Sequence, residues 1–158
     1  MLVSSAAPSF TPRPAAIGRL WPSLRYAVTL LEQATDVRKR WLVASFIKGE
    51  LDGAYWGIDS LPRNYEYSGK AYDERLIREL ISQVRIDLDV FSEGEMNVLE
   101  NHGYLMAEIA VTRHASGLVA EGAPDVRPPY PEWMDAGRAA GALAQSAKTK
   151  LFARSGLL

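Results

Sequence analysis

Apolar positions along the chain change period several times, and each change marks a structural element. Met1 to Ser5 is a short apolar run containing a valine, the pattern of one buried strand, and the proline-rich "AAPSFTPRPAAIG" that follows predicts an extended loop. A single strand cannot satisfy its own backbone groups and needs partner strands, yet no good partner lies nearby in sequence. From Ser23 to about Lys48 the period becomes helical. Leu24, Val28, Leu31, Thr35, Leu42, Ser45 and Phe46 recur at three, four or seven residues, with Arg25, Glu32, Asp36 and Lys39 between them. Gly49 is a natural stop.

"AYWGI" reads as a brief extended segment, and "DSLPRNYEYSGKAYD" as a tyrosine-rich loop turned by Pro62, Asn64 and Gly69. Asp73 can cap a second helix to about Val84, with Leu76, Ile77, Leu80, Ile81 and Val84 as its apolar stripe. The clearest local signal is Ser92-Glu93-Gly94-Glu95, an S-x-x-E capping box that opens a third helix running to about His114. A proline-dense loop follows from Gly117 to Pro131. An alanine-rich fourth helix is expected from Glu132 to about Arg154, with Lys148, Lys150 and Arg154 toward its C-terminus, where cations oppose the dipole.

The segments are therefore 1–22 strand and loop, 23–48 long helix, 49–72 extended segment and loop, 73–115 two helices, 116–131 loop and 132–158 C-terminal helix. The chain reads as mainly α, about four helices with one or two short strands. A single chain of 158 residues, 47% apolar and 23% charged, is long enough for one globular domain. The net charge of -1 gives no global attraction to nucleic acid, and none is expected as a partner. The absence of cysteine excludes disulfides and thiolate metal sites and suits a reducing compartment. No apolar run approaches a membrane span, and "MLVSSAAPSF" lacks the basic start of a signal peptide, so a cytoplasmic protein is expected.

Several stretches invite chemical readings and mostly resist them. "DLDVFSEGE" fails as a calcium loop, because counting from Asp87 the fifth, sixth and twelfth positions are Phe91, Ser92 and Val98. His102 and His114 lie about 120° apart around one helix, which does not make a metal pair, and each is expected to be structural or superficial. No metal or cofactor is expected. "VRKRW" could meet a lipid surface through its cations and tryptophan, but a helix face with three solvated cations and a core tryptophan is the preferred reading. "RPPYPEW" holds a P-x-x-P spacing, here assigned to a loop before a helix. Gly137 and Gly141 among small residues suggest close helix packing. No G-x-S-x-G elbow exists, and neither Ser60 nor Ser116 has glycines on both sides.

The stretch Arg85 to Glu108, "RIDLDVFSEGEMNVLENHGYLMAE", resembles the C-terminal region of bacterial patatin-like phospholipases, in which R-x-D-L-D-x-F-S and E-N-H-G-Y-L-x-A-[DE] follow one another. "VRKRWLVASFIKGELDGAYWGI" is similar to that family's long helix and G-x-Y-W-G-I segment, and "PEWMD" to the start of its last helix. The resemblance implies a three-layer α/β/α fold and hydrolysis of lipid acyl esters by a Ser-Asp dyad, with possible peripheral membrane contact. "MLVSSAAPSF" resembles the strand after the family's D-G-G, usually L-V-S-D-A-G, with Ser5 in place of the aspartate. On that alignment the oxyanion loop, nucleophile and dyad aspartate lie upstream, and the chain alone is expected to be inactive. The alternative is a non-catalytic helical binding or scaffold protein. Asp52 in Asp52-Gly53-Ala54 spells the family's D-G-[GA] and is the one candidate catalytic residue, but it follows a helix and a turn reading is preferred.

Overall fold

The computed structural model describes residues 1–6, 22–84, 91–122 and 127–146. Strand β1 (Leu2–Ser5) leads to the long helix α1 (Pro22–Ile47), which crosses to strand β2 (Ala54–Gly57). A 3-10 turn at Pro62–Tyr65 precedes the short helix α2 (Glu74–Glu79), a second turn at Ile81–Gln83, helix α3 (Glu93–His114) and, after turns at Ser116–Leu118 and Pro131–Met134, helix α4 (Ala136–Ser146). The fold is mainly helical with one small sheet. Calls on residues 85–90 and 147–158, including Asp87, Lys148, Lys150 and Arg154, lie outside the described residues, as do the 7–21 loop and the side chains of Leu24, Arg25, Val28, Leu31, Glu32 and Thr35.

The first strand has a partner. β1 pairs with β2 in parallel, in the register Leu2↔Ala54, Val3↔Tyr55, Ser4↔Trp56 and Ser5↔Gly57. The Ala54 amide donates to the Met1 carbonyl at 3.0 Å and the Ile58 amide to the Ser5 carbonyl at 2.9 Å. The sequence expectation of an unpartnered strand is thus corrected: the partner is "AYWG". It is remote in sequence because parallel neighbours need a crossover, here α1.

Local chemistry sets the helix ends. α1 ends in a Schellman motif, with Gly49 at φ 72°, its amide donating to Phe46 O at 3.1 Å and that of Glu50 to Ser45 O at 2.9 Å. Asp73 caps α2, its carboxylate accepting from the Leu76 amide at 2.9 Å. The expected run to Val84 is interrupted, however: Leu80 leaves helical angles at φ −125°, ψ −60°, and a 3-10 turn carries the chain on. This break still turns Ile81 and Val84 into the core. The Ser92 capping box forms as read, with the Ser92 amide donating to Glu95 at 2.6 Å and the Glu95 amide to Ser92 Oγ at 3.3 Å.

The last helix starts later than Glu132. Pro131–Met134 forms a 3-10 turn, and the Asp135 carboxylate accepts from the Arg138 amide at 2.7 Å, so aspartate opens α4 from the position before Ala136. The small residues of α4 are used unevenly. Ala139 is fully buried and Ala142 approaches Gly94, whereas a methyl group built on Gly141 would meet open space.

Two apolar clusters share α3. One joins Leu61, Leu76, Ile77, Ile81, Val98 and Leu143, with Trp133 and Phe91 at its margin; the other joins Ala54, Tyr65, Met106, Ile109 and Ala110, with Trp56 beside them. The α3 face that serves both recurs at Val98, His102, Leu105, Met106 and Ile109, which is helical spacing. Burying such side chains contributes roughly 1.5–3 kcal/mol each.

Candidate functional site

The C-terminal half of α1, the bend at 49–53, β2 and the turn at Pro62–Tyr65 surround a cavity of about 510 Å³, closed at one side by His114 at the end of α3. That volume falls in the range of small-molecule pockets. Val43, Phe46 and Ile47 of α1 contribute apolar lining with Leu51, and Lys39, Tyr55, Asp59, Ser60 and Tyr65 contribute polar groups.

Lys39 points inward from α1 and reaches both oxygens of Asp59, at 3.1 and 3.2 Å, with both side chains less than a quarter exposed. Its Nζ also lies 5.4 Å from the centre of the Tyr55 ring. Burial pulls the Lys39 pKa down, but the neighbouring Tyr55 oxygen and Asp59 carboxylate outweigh it and the net direction is upward. Lys39 therefore stays charged at neutral pH. The Tyr55 oxygen is near enough to favour that charge without meeting hydrogen-bond geometry, and it is buried without a hydrogen-bond partner among the described residues.

Tyr65 donates its hydroxyl to the Tyr55 carbonyl at 2.7 Å and lies 3.3 Å from Ser60 Oγ, which also accepts from the Gly57 amide at 2.8 Å. Burial raises the Tyr65 pKa against the opposing Ser60 hydrogen bond, so the phenol remains a donor. Ser60 Oγ thus accepts from the Gly57 amide and, because the one Tyr65 proton is committed to the Tyr55 carbonyl, gives its own hydrogen to the Tyr65 oxygen and not to a base. That is the arrangement of a turn-bracing hydroxyl and not of an activated nucleophile. Ser116 is exposed in a 3-10 turn.

Asp52 lines the same cavity but its surroundings are those of a turn. It is exposed, and its backbone carbonyl accepts from the Met1 ammonium at 2.6 Å. It also precedes β2, at the amino end of the parallel pair, whereas ligands of open α/β sheets gather at the carboxyl ends. The adjoining Gly53 has a backbone reason of its own: φ is 153°, and a Cβ there would collide with the Met1 carbonyl.

The two histidines part company. His102 is buried, its Nε2–H donating to the Ile58 carbonyl at 3.0 Å, and desolvation lowers its pKa to about 4 against smaller opposing effects of that bond and of Asp59. It is neutral in the fold. His114 is exposed and tilts toward the Tyr65 ring at 5.7 Å. No group of three potential metal ligands occurs among the described residues.

A junction that the sequence did not reveal lies at Asn101, which is fully buried. Its Nδ2 donates to the Tyr130 carbonyl at 2.7 Å and to the Tyr72 hydroxyl at 3.3 Å, and its Oδ1 accepts from the Tyr130 amide at 2.9 Å. Tyr72 in turn donates to the Trp133 carbonyl at 2.9 Å. One asparagine thus fastens the "RPPYPEW" loop to α3, and Pro128, the first proline of the P-x-x-P, is buried there. The available signal was a poor helix former amid an apolar face, which asks for a reason. Lys39 with Asp59 had no local signal.

"VRKRW" also departs from its preferred reading. Trp41 is 64% exposed and is not a core residue, while the middle cation, Lys39, is the one turned inward.

No protein-family model, curated protein or solved structure matches this chain.

Proposed function

We propose that the chain is the C-terminal part of a patatin-like lipid acyl hydrolase, a cytoplasmic enzyme that works peripherally on membrane lipid. Its catalytic serine and dyad aspartate come from sequence outside these residues, since no G-x-S-x-G occurs in them. In this reading the parent attacks an acyl ester carbonyl with its serine and holds the oxyanion with backbone amides. The present chain supplies sheet, covering helices and the apolar cavity wall.

One observation carries the reading. The stretches that bear the family resemblance, though spread from Val37 to Asp135, meet one another through their own residues: Gly94 under Trp133, and His102 on Ile58. A Cβ on Gly94 would lie 2.7 Å from the Trp133 ring, so the glycine of "SEGE" and the tryptophan of "PEWMD" require each other. The β1-α1-β2 crossover with parallel strands supports the α/β part of the reading.

The test has two parts. Purified as it stands, the chain should not turn over short p-nitrophenyl esters, and serine-dependent hydrolysis would overturn the assignment of the dyad to another segment. The genomic frame upstream of Met1 should continue into G-x-S-x-G and D-G-G, and in the enzyme it encodes Asp52→Ala should remain active. A frame without those motifs sinks the acyl-hydrolase reading.

A further inference from the structure

Helix α1 shows the solvent a face that its sequence makes both apolar and cationic. Val37 is 65% exposed, Trp41 64% and Ile47 81%, which is unusual for three large apolar side chains on about three turns of one helix. At 100° per residue, Val37, Trp41, Ala44 and Lys48 fall within about 60° of one another. Ile47 and Arg40 border that strip on one side and Arg38 on the other; Ala44, Arg38, Arg40 and Lys48 are all exposed.

Charge sets the kind of surface this face fits. From Val37 to Lys48 there are four cations and no Asp or Glu, in a protein whose net charge is -1. Lys39 is turned inward to Asp59, which leaves Arg38, Arg40 and Lys48 around the apolar strip. Tryptophan at the centre of the strip suits the level of lipid head groups, and the arginines have long enough stems to lie along an apolar surface while their guanidinium groups stay in water.

We infer that the Val37–Lys48 face of α1 is a docking surface for anionic lipid bilayers, with Val37, Trp41 and Ile47 entering the head-group boundary and Arg38, Arg40 and Lys48 holding lipid phosphates. The helix lies in the plane of the interface, as amphipathic helices with basic polar borders do. It neither spans nor needs to span: no helix among the described residues is long and apolar enough to cross a membrane. Ile47 also lines the cavity, so the docking face and the cavity mouth share an edge. The inference rests on the acyl-hydrolase reading only in its choice of a lipid over other anionic surfaces. Its test measures binding, so the two fail separately.

The experiment is co-sedimentation of the full chain with vesicles of phosphatidylcholine alone or with about a third phosphatidylglycerol. The chain should pellet with the anionic vesicles and stay in solution with the neutral ones, and added salt should release it. Arg38→Gln with Arg40→Gln should weaken partitioning about 30-fold, at roughly a kilocalorie per mole for each basic residue near the surface. Trp41→Ser should weaken binding while abolishing the vesicle-induced blue shift of tryptophan emission. Both variants change exposed side chains, and unchanged far-UV circular dichroism will certify their folds. Equal binding to neutral and anionic vesicles, or binding indifferent to the arginine pair, overturns the inference. So does a dimer in solution that Trp41→Ser dissociates, since a second copy would then cover the face.

Discussion

Acidification from neutral pH to about 4 should destabilise this protein by way of His102 as well as its carboxylates, and the two contributions can be separated. The imidazole is neutral in the fold with a pKa lowered to about 4 from its ordinary 6.5, chiefly through desolvation. Between those values the unfolded chain binds a proton that the folded chain refuses, so stability falls as pH falls. It is complete above 6.5 and progressively lost on the way to about 4. The gap between the two pKa values amounts to about 3 kcal/mol, a large share of a typical folding free energy. The control is His102→Gln, whose amide can donate to the Ile58 carbonyl and does not titrate. Urea unfolding followed by circular dichroism at several pH values should show wild type more stable at neutral pH. Its advantage should shrink by about 3 kcal/mol as the pH approaches 4. Carboxylates contribute to both curves and cancel in the difference. A difference that stays level with pH, or grows on acidification, would refute the reasoning.

Two further outcomes follow from the packing. Asn101→Ala removes three hydrogen bonds and strands the Tyr130 amide and carbonyl beside α3, so urea unfolding should show a loss of about 2–3 kcal/mol, and the 127–134 segment should become the first target of limited proteolysis. Gly53→Ala places a methyl group against the Met1 carbonyl, so amide exchange should accelerate at Leu2–Ser5 and at Ala54, while the core of α3 stays protected; uniform acceleration would refute the local account.

What the sequence disclosed, and what it kept, divides along the range of the interaction. The Ser92 capping box, the Asp73 cap and the Gly49 stop were legible because each is settled by atoms within six residues. The apolar stripe Leu76, Ile77, Ile81 and Val84 was legible too, although the helix meant to carry it breaks at Leu80: burial followed the pattern even where the backbone did not. The β1 partner was not legible, because no turn or spacing links Leu2 to Ala54 across a crossover helix. Periodicity also tells which residues share a face without telling which face is covered, hence the misplacement of Trp41 in the core. At the candidate site, the position of Asp52 between the long helix and the extended segment was legible, while the Lys39–Asp59 pair and the Asn101 junction depend on contacts between segments 20 or more residues apart.

The parallel pairing of β1 with β2 also sets an order of events during synthesis. Leu2 emerges from the ribosome long before its partner: the register separates Leu2 from Ala54 by 52 residues. At about 5–20 residues per second, that is a wait of roughly 3–10 seconds. Closing a loop of that length costs about 3–4 kcal/mol in chain entropy. The strand cannot recover that cost until β2 has been fixed against Met106, Ile109 and Ala110 of α3, which are made later still. Within these residues β1 is therefore made well before the strand and helix that hold it, and it joins β2 only once α3 has been synthesised.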